Sequence, residues 1–272
     1  MLLYVHVPFC ARKCAYCAFY SETGEGAGAA ARREYLTALA LDFERAAAGR
    51  VFDTLYLGGG TPTWLPADEL AELLAIADRF AVFAPEAEKS AEANPETLTE
   101  EKLAALRAGG CNRLALGVQS LNDRLLAGIG RKHNARDVWQ AIHWARRAGF
   151  TNIGADLLLG LPGQSLSDWQ DSVRALAAAG LTHLSLYALT PEEDTPLALD
   201  LAAGRTRLPD DDAQADMYAW AREYLAASGY QQDEISNFSL PGHACRHNLG
   251  YWRAEEYLGL GPGAVSCLAE TG

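Results

Sequence analysis

Short apolar runs alternate with helical segments over most of the chain, and this alternation most restricts the possible fold. The intervening segments are rich in alanine and leucine, with apolar residues at helical spacing. Repeated βα units of this kind build a mainly parallel sheet. The six predicted strands begin at Leu2, Asp53, Glu88, Asn112, Asn152 and Thr182.

Residues of interest follow several of these strands, which predicts an α/β fold with a partial (β/α)6 barrel of TIM type and a site at the strands' carboxyl ends. A doubly wound sheet is the alternative. The sequence changes in character after Leu208, so we predict a core barrel over residues 1–208 and a short C-terminal extension over 209–272. Thr99 and Ser167 are predicted helix caps, the latter with Gln170 in a capping-box pattern.

Composition and charge disfavour several classes of protein. A chain of 272 residues, 49% of them hydrophobic, buries a substantial core. A net charge of -12 repels phosphate backbones, so nucleic acid is not an expected partner. The start MLLYVHVPF lacks a basic leader, and no apolar run approaches the roughly 20 residues that span a bilayer. We expect a cytoplasmic protein.

Three cysteines, Cys10, Cys14 and Cys17, lie close together directly after the first predicted strand. A four-iron cubane normally takes four thiolates, so three would leave one iron open to a substrate or cofactor. A zinc site with a fourth protein ligand and three ordinary thiols are the alternatives. The other cysteines are scattered, and Cys111 is predicted to be a small buried apolar side chain.

Glycine and polar residues follow the next predicted strands. The GGGTP run lets a ligand approach the backbone closely and offers amides to a carboxylate, although a structural turn is an alternative. Glu92, Gln119 and Asp156 lie at or near the ends of three successive strands, which favours one ligand pocket over separate surface groups. Arg131 can form a forked pair with a carboxylate.

A second group of chemically active residues lies in the segment GHACRHNLGYW, near the end of the chain. Histidine and cysteine are common axial ligands of haem iron, and aromatic side chains pack against porphyrins. A loop with buried aromatic residues is the alternative interpretation.

The CxxxCxxC motif, with Tyr16 before its last cysteine, resembles that of the radical S-adenosylmethionine enzymes. Further segments match, in order, the branch similar to oxygen-independent coproporphyrinogen III oxidase. These segments are Tyr4–Cys10 (YVHVPFC), Gly58–Thr63 (GGGTPT), Glu92–Pro95 (EANP), Leu116–Ser120 (LGVQS) and Asp156–Gly163 (DLLLGLPG). Within this branch, the HNxxYW core resembles that of the haem chaperones, or HemW-type proteins.

This resemblance implies three sets of site residues. A 4Fe-4S cluster would be held by Cys10, Cys14 and Cys17, with S-adenosylmethionine chelating the fourth iron. The residues implied to bind S-adenosylmethionine are Tyr4, Tyr16, Gly59, Gly60, Thr61, Glu92, Gln119, Arg131, Asp156 and Ala188. Those implied to bind haem are His247, Asn248, Tyr251 and Trp252.

Phe19 distinguishes two functions within the branch. Coproporphyrinogen dehydrogenases carry CxxxCxxCxC, whereas this chain has Phe19 at the position of the last cysteine. The resemblance therefore implies a haem chaperone that passes haem to respiratory acceptor proteins. It implies membrane association only through the acceptor and is compatible with a homodimer. The alternatives are a coproporphyrinogen III dehydrogenase and a plain iron-sulfur scaffold.

The match departs from the family pattern near the end of the chain. Relatives commonly read GPGAHS where this sequence has Val265 before Ser266. They also continue well beyond this segment, so we expect their usual further C-terminal domain to be absent from this chain, which would be a fragment or a shorter relative.

Overall fold

The computed structural model describes residues 1–269, which form a nine-stranded sheet flanked by nine α-helices. The strands are β1 (Leu2–Val7), β2 (Val51–Gly59), β3 (Val82–Ala93), β4 (Arg113–Gln119), β5 (Asn152–Leu159), β6 (His183–Ala188), β7 (Gln231–Gln232), β8 (Asn237–Ser239) and β9 (Tyr257–Leu260). The helices are α1 (Ala29–Ala46), α2 (Ala67–Phe80), α3 (Glu100–Ala108), α4 (Asp123–Gly128), α5 (Ala135–Arg147), α6 (Leu166–Ala178), α7 (Pro196–Ala202), α8 (Asp211–Ala227) and α9 (Arg246–Trp252).

All six predicted strands are present, and neighbours along the chain pair in parallel from β1 to β6. The strand order runs continuously from β6 to β1, without the reversal that defines a doubly wound sheet. The predicted partial (β/α)6 barrel is therefore confirmed. Its main apolar core lies between the strands and the helices around them.

The segment after residue 208 adds strands at both edges of the same sheet. β9 pairs in parallel with β1, whereas β8 pairs antiparallel with β6 and β7 with β8. The division into a barrel and an extension at Leu208 stays a prediction. None of the helices within residues 1–269 is long and apolar enough to cross a bilayer.

One predicted cap is confirmed and one is wrong. The Thr99 side chain accepts a hydrogen bond from the Lys102 backbone at the start of α3. At α6 the capping box joins Ser165 and Asp168, because Ser165 keeps an extended backbone while Ser167 already lies inside the first helical turn. Cys111 is fully buried in the apolar core, as predicted.

Candidate functional site at the barrel mouth

A cavity of about 460 Å³ opens at the carboxyl ends of the strands. Because parallel strands end at one edge of the sheet, the loops that follow them meet there. The walls include all three clustered cysteines and nine of the ten residues predicted to bind S-adenosylmethionine. These nine are Tyr16, Gly59, Gly60, Thr61, Glu92, Gln119, Arg131, Asp156 and Ala188.

Tyr4 is the predicted nucleotide residue that does not line this cavity. Its ring stacks on Tyr56 with centroids 6.3 Å apart, and its hydroxyl lies 3.2 Å from His6 Nδ1. Tyr4 therefore supports the cavity wall from behind.

The loop with the three cysteines is held on both sides by backbone hydrogen bonds at Ala15. Its N–H donates to the Ile129 carbonyl at 3.1 Å, and its carbonyl accepts from the Leu197 N–H at 2.9 Å. Ala15 and Tyr16 also pack on a small apolar cluster that includes Ile129 and Leu197. This packing fixes the loop against α4 and α7 and keeps its thiols facing the cavity.

A chain of polar contacts joins two of the cysteines across the cavity wall. Cys10 Sγ lies 3.4 Å from Thr61 Oγ1, which accepts a hydrogen bond from Asn94 Nδ2 at 2.9 Å. Asn94 Oδ1 accepts from Arg131 Nη2 at 2.6 Å, and Arg131 Nη1 lies 3.7 Å from Cys14 Sγ. The guanidinium thus stands where it offsets the charge of a thiolate.

The donor set fits an iron-sulfur cluster. All three thiols are free, partly exposed and directed to one cavity. Within residues 1–269, no three Cys, His, Asp or Glu side chains converge as ligands of a single metal ion. In a cubane each thiolate binds a different iron, so the sulfurs need not converge, whereas a zinc ion requires them to. The three thiols at one cavity therefore fit the predicted cluster.

The glycines of the GGGTP run form a cradle beside the cysteine loop. A Cβ on Gly60 would stand 2.8 to 2.9 Å from the backbone of Phe9 and Val7. Gly59 has a φ of +104°, a conformation that favours glycine. The backbone at these glycines therefore packs against β1 and the start of the cysteine loop more closely than any other residue type would permit. Both glycines also line the cavity, which fits the predicted binding of the methionine end of S-adenosylmethionine.

Buried charges face this cradle. Burial and, after it, the charge of the Asp156 carboxylate raise the pKa of Glu92 to about 7, although hydrogen bonds from Tyr56 and Gly59 oppose the shift. Burial also raises the pKa of Asp156. The buried Arg131 guanidinium leaves Nε without a hydrogen-bond partner. Unpaired buried polar groups are costly, so their presence on a cavity wall indicates a polar ligand.

The predicted haem residues lie elsewhere, on α9 and away from the cavity wall. His247 is only 1% exposed, with Nδ1 2.7 Å from Thr54 Oγ1 and Nε2 2.9 Å from Tyr251 Oη. Trp252 is 60% exposed and Tyr251 is 40% exposed. The helix therefore presents aromatic rings to solvent while both nitrogens of its histidine are occupied.

The prediction from sequence missed several cavity residues, among them Tyr56, Asn94 and Gly117. Tyr56 and Gly117 each lie two positions before a glycine or polar residue that the sequence did single out, and alternate residues of a strand share a face. Strand alternation was therefore the signal that could have found them.

Comparisons with known proteins identify the family of this chain. The sequence pattern of the radical SAM superfamily matches residues 4–176. The chain is 42% identical over 272 residues to heme chaperone HemW of Mycobacterium tuberculosis, covering 99% of this chain and 70% of that protein. The chain belongs to the radical SAM superfamily and, within it, to the HemW family. It is also 36% identical to heme chaperone HemW of Escherichia coli, covering 96% and 68% of the two chains.

Solved structures support the same fold. Coproporphyrinogen III oxidase (HemN) from Escherichia coli, described as a radical SAM enzyme, superposes with a TM-score of 0.83 at 26% identity. The match covers 97% of this chain and 64% of the HemN chain. The methyltransferase TsrM from Kitasatospora setae matches with a TM-score of 0.55 at 17% identity, over 75% of this chain and 39% of TsrM, which shows a shared fold alone. Radical SAM membership implies a 4Fe-4S cluster and S-adenosylmethionine.

Proposed function

We propose that this chain is a haem chaperone that binds haem, a 4Fe-4S cluster and S-adenosylmethionine, and passes haem to respiratory acceptor proteins. The observation that carries the proposal is the cavity that gathers the cysteine loop, the glycine cradle and the buried carboxylates in a member of the HemW family. The cluster, when bound, supplies a redox-active iron with one coordination position free of protein ligands.

The chain's own residues have separable roles in this proposal. Cys10, Cys14 and Cys17 anchor the cluster. The Gly59 and Gly60 backbone and the remaining predicted cavity residues hold S-adenosylmethionine. The pKa of Glu92 lies near 7, so this carboxylate accepts hydrogen bonds from the nucleotide as an anion above that pH and acts as a donor below it.

Haem is the cargo, and the exposed aromatic side of α9 is its proposed docking surface. Trp252 and Tyr251 offer apolar ring faces to a porphyrin at little cost, since they are already in solvent. Asn248 lies on the same helix. A role for His247 as an iron ligand stays a prediction, because its Nε2 would first have to leave the Tyr251 hydroxyl.

Hemin titration of the anaerobically reconstituted protein tests the proposal. We expect a Soret band with the wild type and roughly tenfold weaker binding after Trp252→Ala, because a stacked aromatic ring contributes about 1 kcal/mol or more. Trp139→Ala is the matched control, since Trp139 is also partly exposed but lies on α5. A wild type without a Soret band refutes haem binding, and an unchanged Trp252→Ala variant refutes the docking surface.

Transfer is tested separately with haem-loaded protein and a haem-free respiratory protein, by following the absorbance of both after separation. The likeness to HemN favours one alternative, the oxidation of coproporphyrinogen III. Incubation with that substrate and excess S-adenosylmethionine under reducing anaerobic conditions distinguishes the two functions. The oxidase would convert propionate side chains to vinyl groups with release of carbon dioxide, and would consume S-adenosylmethionine as the oxidant. Stoichiometric formation of that product would replace the chaperone proposal.

A further inference from the structure

Helix α9 packs against β1, β2 and β3 at the neighbouring residues Leu2, Thr54 and Glu88. Its first two backbone N–H groups, of Arg246 and His247, donate to the buried Glu88 carboxylate at 3.2 and 3.3 Å. A Cβ on Gly250 would stand 2.4 Å from the Leu2 side chain, so the helix packs directly on β1. The helix is thus anchored at its start and along its length, and its buried face is fixed relative to the strands.

His247 connects α9 to the cavity wall, because its ring contacts Tyr56. Its ring stacks on Tyr56 with centroids 5.0 Å apart and planes 27° from parallel. Its two nitrogens contact hydroxyls on β2 and on α9, which prevents rotation of the ring. Tyr56 lines the cavity, and its hydroxyl donates to Glu92 Oε1 at 2.9 Å.

We propose that His247 is a positioning residue of the nucleotide pocket, which holds the Tyr56 ring so that the Tyr56 hydroxyl donates to the Glu92 carboxylate and orients it. This inference rests on the S-adenosylmethionine binding in the proposed function and is independent of haem binding. It gives the histidine of the HNxxYW motif a role that does not require contact with iron.

The surroundings of Glu92 make this hydrogen bond consequential. Burial and Asp156 raise the pKa of Glu92, while the Tyr56 hydroxyl, the Gly59 amide and the Arg113 guanidinium lower it. Loss of the Tyr56 hydrogen bond therefore moves the pKa higher and leaves less of the carboxylate ionised at neutral pH. The titratable and charged groups that face Glu92 are Tyr4, Tyr56, Arg113, Asp156, Tyr187 and Tyr251.

Equilibrium dialysis of S-adenosylmethionine against the reconstituted protein, from pH 6 to pH 9, tests the inference. Tyr56→Phe keeps the ring but removes the hydroxyl, and His247→Ala removes the support of that ring. We expect each to raise the Kd about fivefold at pH 7 and to move the midpoint of the pH dependence upward, with the difference shrinking toward pH 9. The double variant should bind no more weakly than either single variant, because both act through one hydrogen bond.

His247→Phe retains a ring for stacking and is expected to lose less affinity than His247→Ala. It also carries the test, together with Tyr56→Phe, if the alanine variant does not fold. Arg253→Ala, an exposed change at the end of the same helix, should leave the Kd and its pH midpoint unchanged. These controls separate support of Tyr56 from a general loosening of α9.

The outcomes distinguish this inference from haem binding. If His247→Ala loses the Soret band but binds S-adenosylmethionine with wild-type affinity and pH dependence, His247 acts on haem and the inference is overturned. If the wild type shows no Soret band while the Kd shifts as expected, the haem proposal fails and the inference stands. Additive losses in the double variant, or a wild type that does not bind S-adenosylmethionine, also overturn it.

Discussion

The cysteine loop and helix α9 carry the two motifs that are most conspicuous in the sequence, and the structure treats them differently. The loop follows the end of β1 and directs free thiols into a cavity. Helix α9 contacts Leu2, Thr54 and Glu88, which lie side by side on β1, β2 and β3. Its histidine is buried with both nitrogens engaged. Chemically reactive residue types can therefore face a ligand cavity, as the cysteines do. They can also hold in place the residues that line the cavity, as His247 does.

The pKa values of His247, on α9, and Arg131, beside the cysteine loop, show the same contrast. Burial, followed by the charge of Arg113, lowers the pKa of His247 to about 3, so this ring stays neutral and serves as a packed hydrogen-bonding group. Near the cavity, Arg131 is also buried, yet Tyr16 and Cys14 raise its pKa and keep it charged. A charged guanidinium beside a thiol offsets the charge of a thiolate ligand. A neutral imidazole with both nitrogens hydrogen-bonded instead holds its neighbouring side chains in place.

The largest expected effect is on the iron content of the reconstituted protein. Cys14→Ser should lose nearly all bound iron and sulfide, since a three-thiolate site cannot hold the cluster with two. Cys245→Ser, at the buried start of α9, is the matched control and should retain iron. Equal loss from both variants, measured by iron and sulfide analysis, would remove the distinction between the two regions.

The second expected effect concerns the glycine cradle. Gly60→Ala should destabilise the protein by about 2 to 3 kcal/mol, because the added methyl group meets the backbone of Phe9 and Val7. Gly128→Ala, near the end of α4, meets no atom within 4 Å and should be neutral or slightly stabilising. Urea unfolding measures both, and a neutral Gly60→Ala variant would contradict the close approach.

The fold was largely predictable because the six barrel strands and their helices have strong periodic patterns. Strands β7, β8 and β9 were not predicted, since they have two to four residues and exist only through pairing with distant segments. Local sequence does not encode such partners.

The sequence predicted most of the residues that line the cavity, but not which residues lie behind them. Glu92 and Gln119 lie at the ends of β3 and β4, whereas Asp156 lies within β5 beside Gly117. All three line one cavity, as the spacing of the strands predicts. The positions of Tyr4 and His247 behind the cavity wall depend on how α9 packs against the strands. That packing results from tertiary contacts at Leu2 and Glu88, which are far from α9 in sequence, so no local sequence pattern predicts it.

The third expected effect is a pH-dependent gain in the free energy of unfolding when Glu92, on the cavity wall, is replaced by glutamine. The pKa of Glu92 is about 7 in the folded protein against an ordinary value of 4.5, so the native state binds more protons between these values and loses stability as pH rises through them. Glu92→Gln should therefore be more stable than the wild type at pH 8, on the order of 2 kcal/mol, and similar near pH 4. It should bind S-adenosylmethionine more weakly.

Glu96→Gln is the control of opposite sign. Burial raises the pKa of Glu96, but the hydrogen bond with His133 and the charge of Arg131 lower it below its ordinary value overall. Its carboxylate therefore stabilises the fold above that ordinary value, and the stabilisation is lost as pH falls through the folded pKa. Thermal unfolding at pH 4 and pH 8 checks both variants, and the same sign of change at pH 8 would contradict this assignment.

The smallest expected effect lies outside both regions and gives a scale for the others. Ser165→Ala should destabilise the protein by about 1 kcal/mol, because it removes the side chain that accepts from the Asp168 N–H and caps α6. Ser167→Ala, two residues along, should change stability by less than about 0.5 kcal/mol, because it lies on the exposed side of the first turn. Urea unfolding at constant pH measures the pair. The reverse order would restore Ser167 as the cap, and equal effects would mean that neither hydroxyl controls where the helix begins.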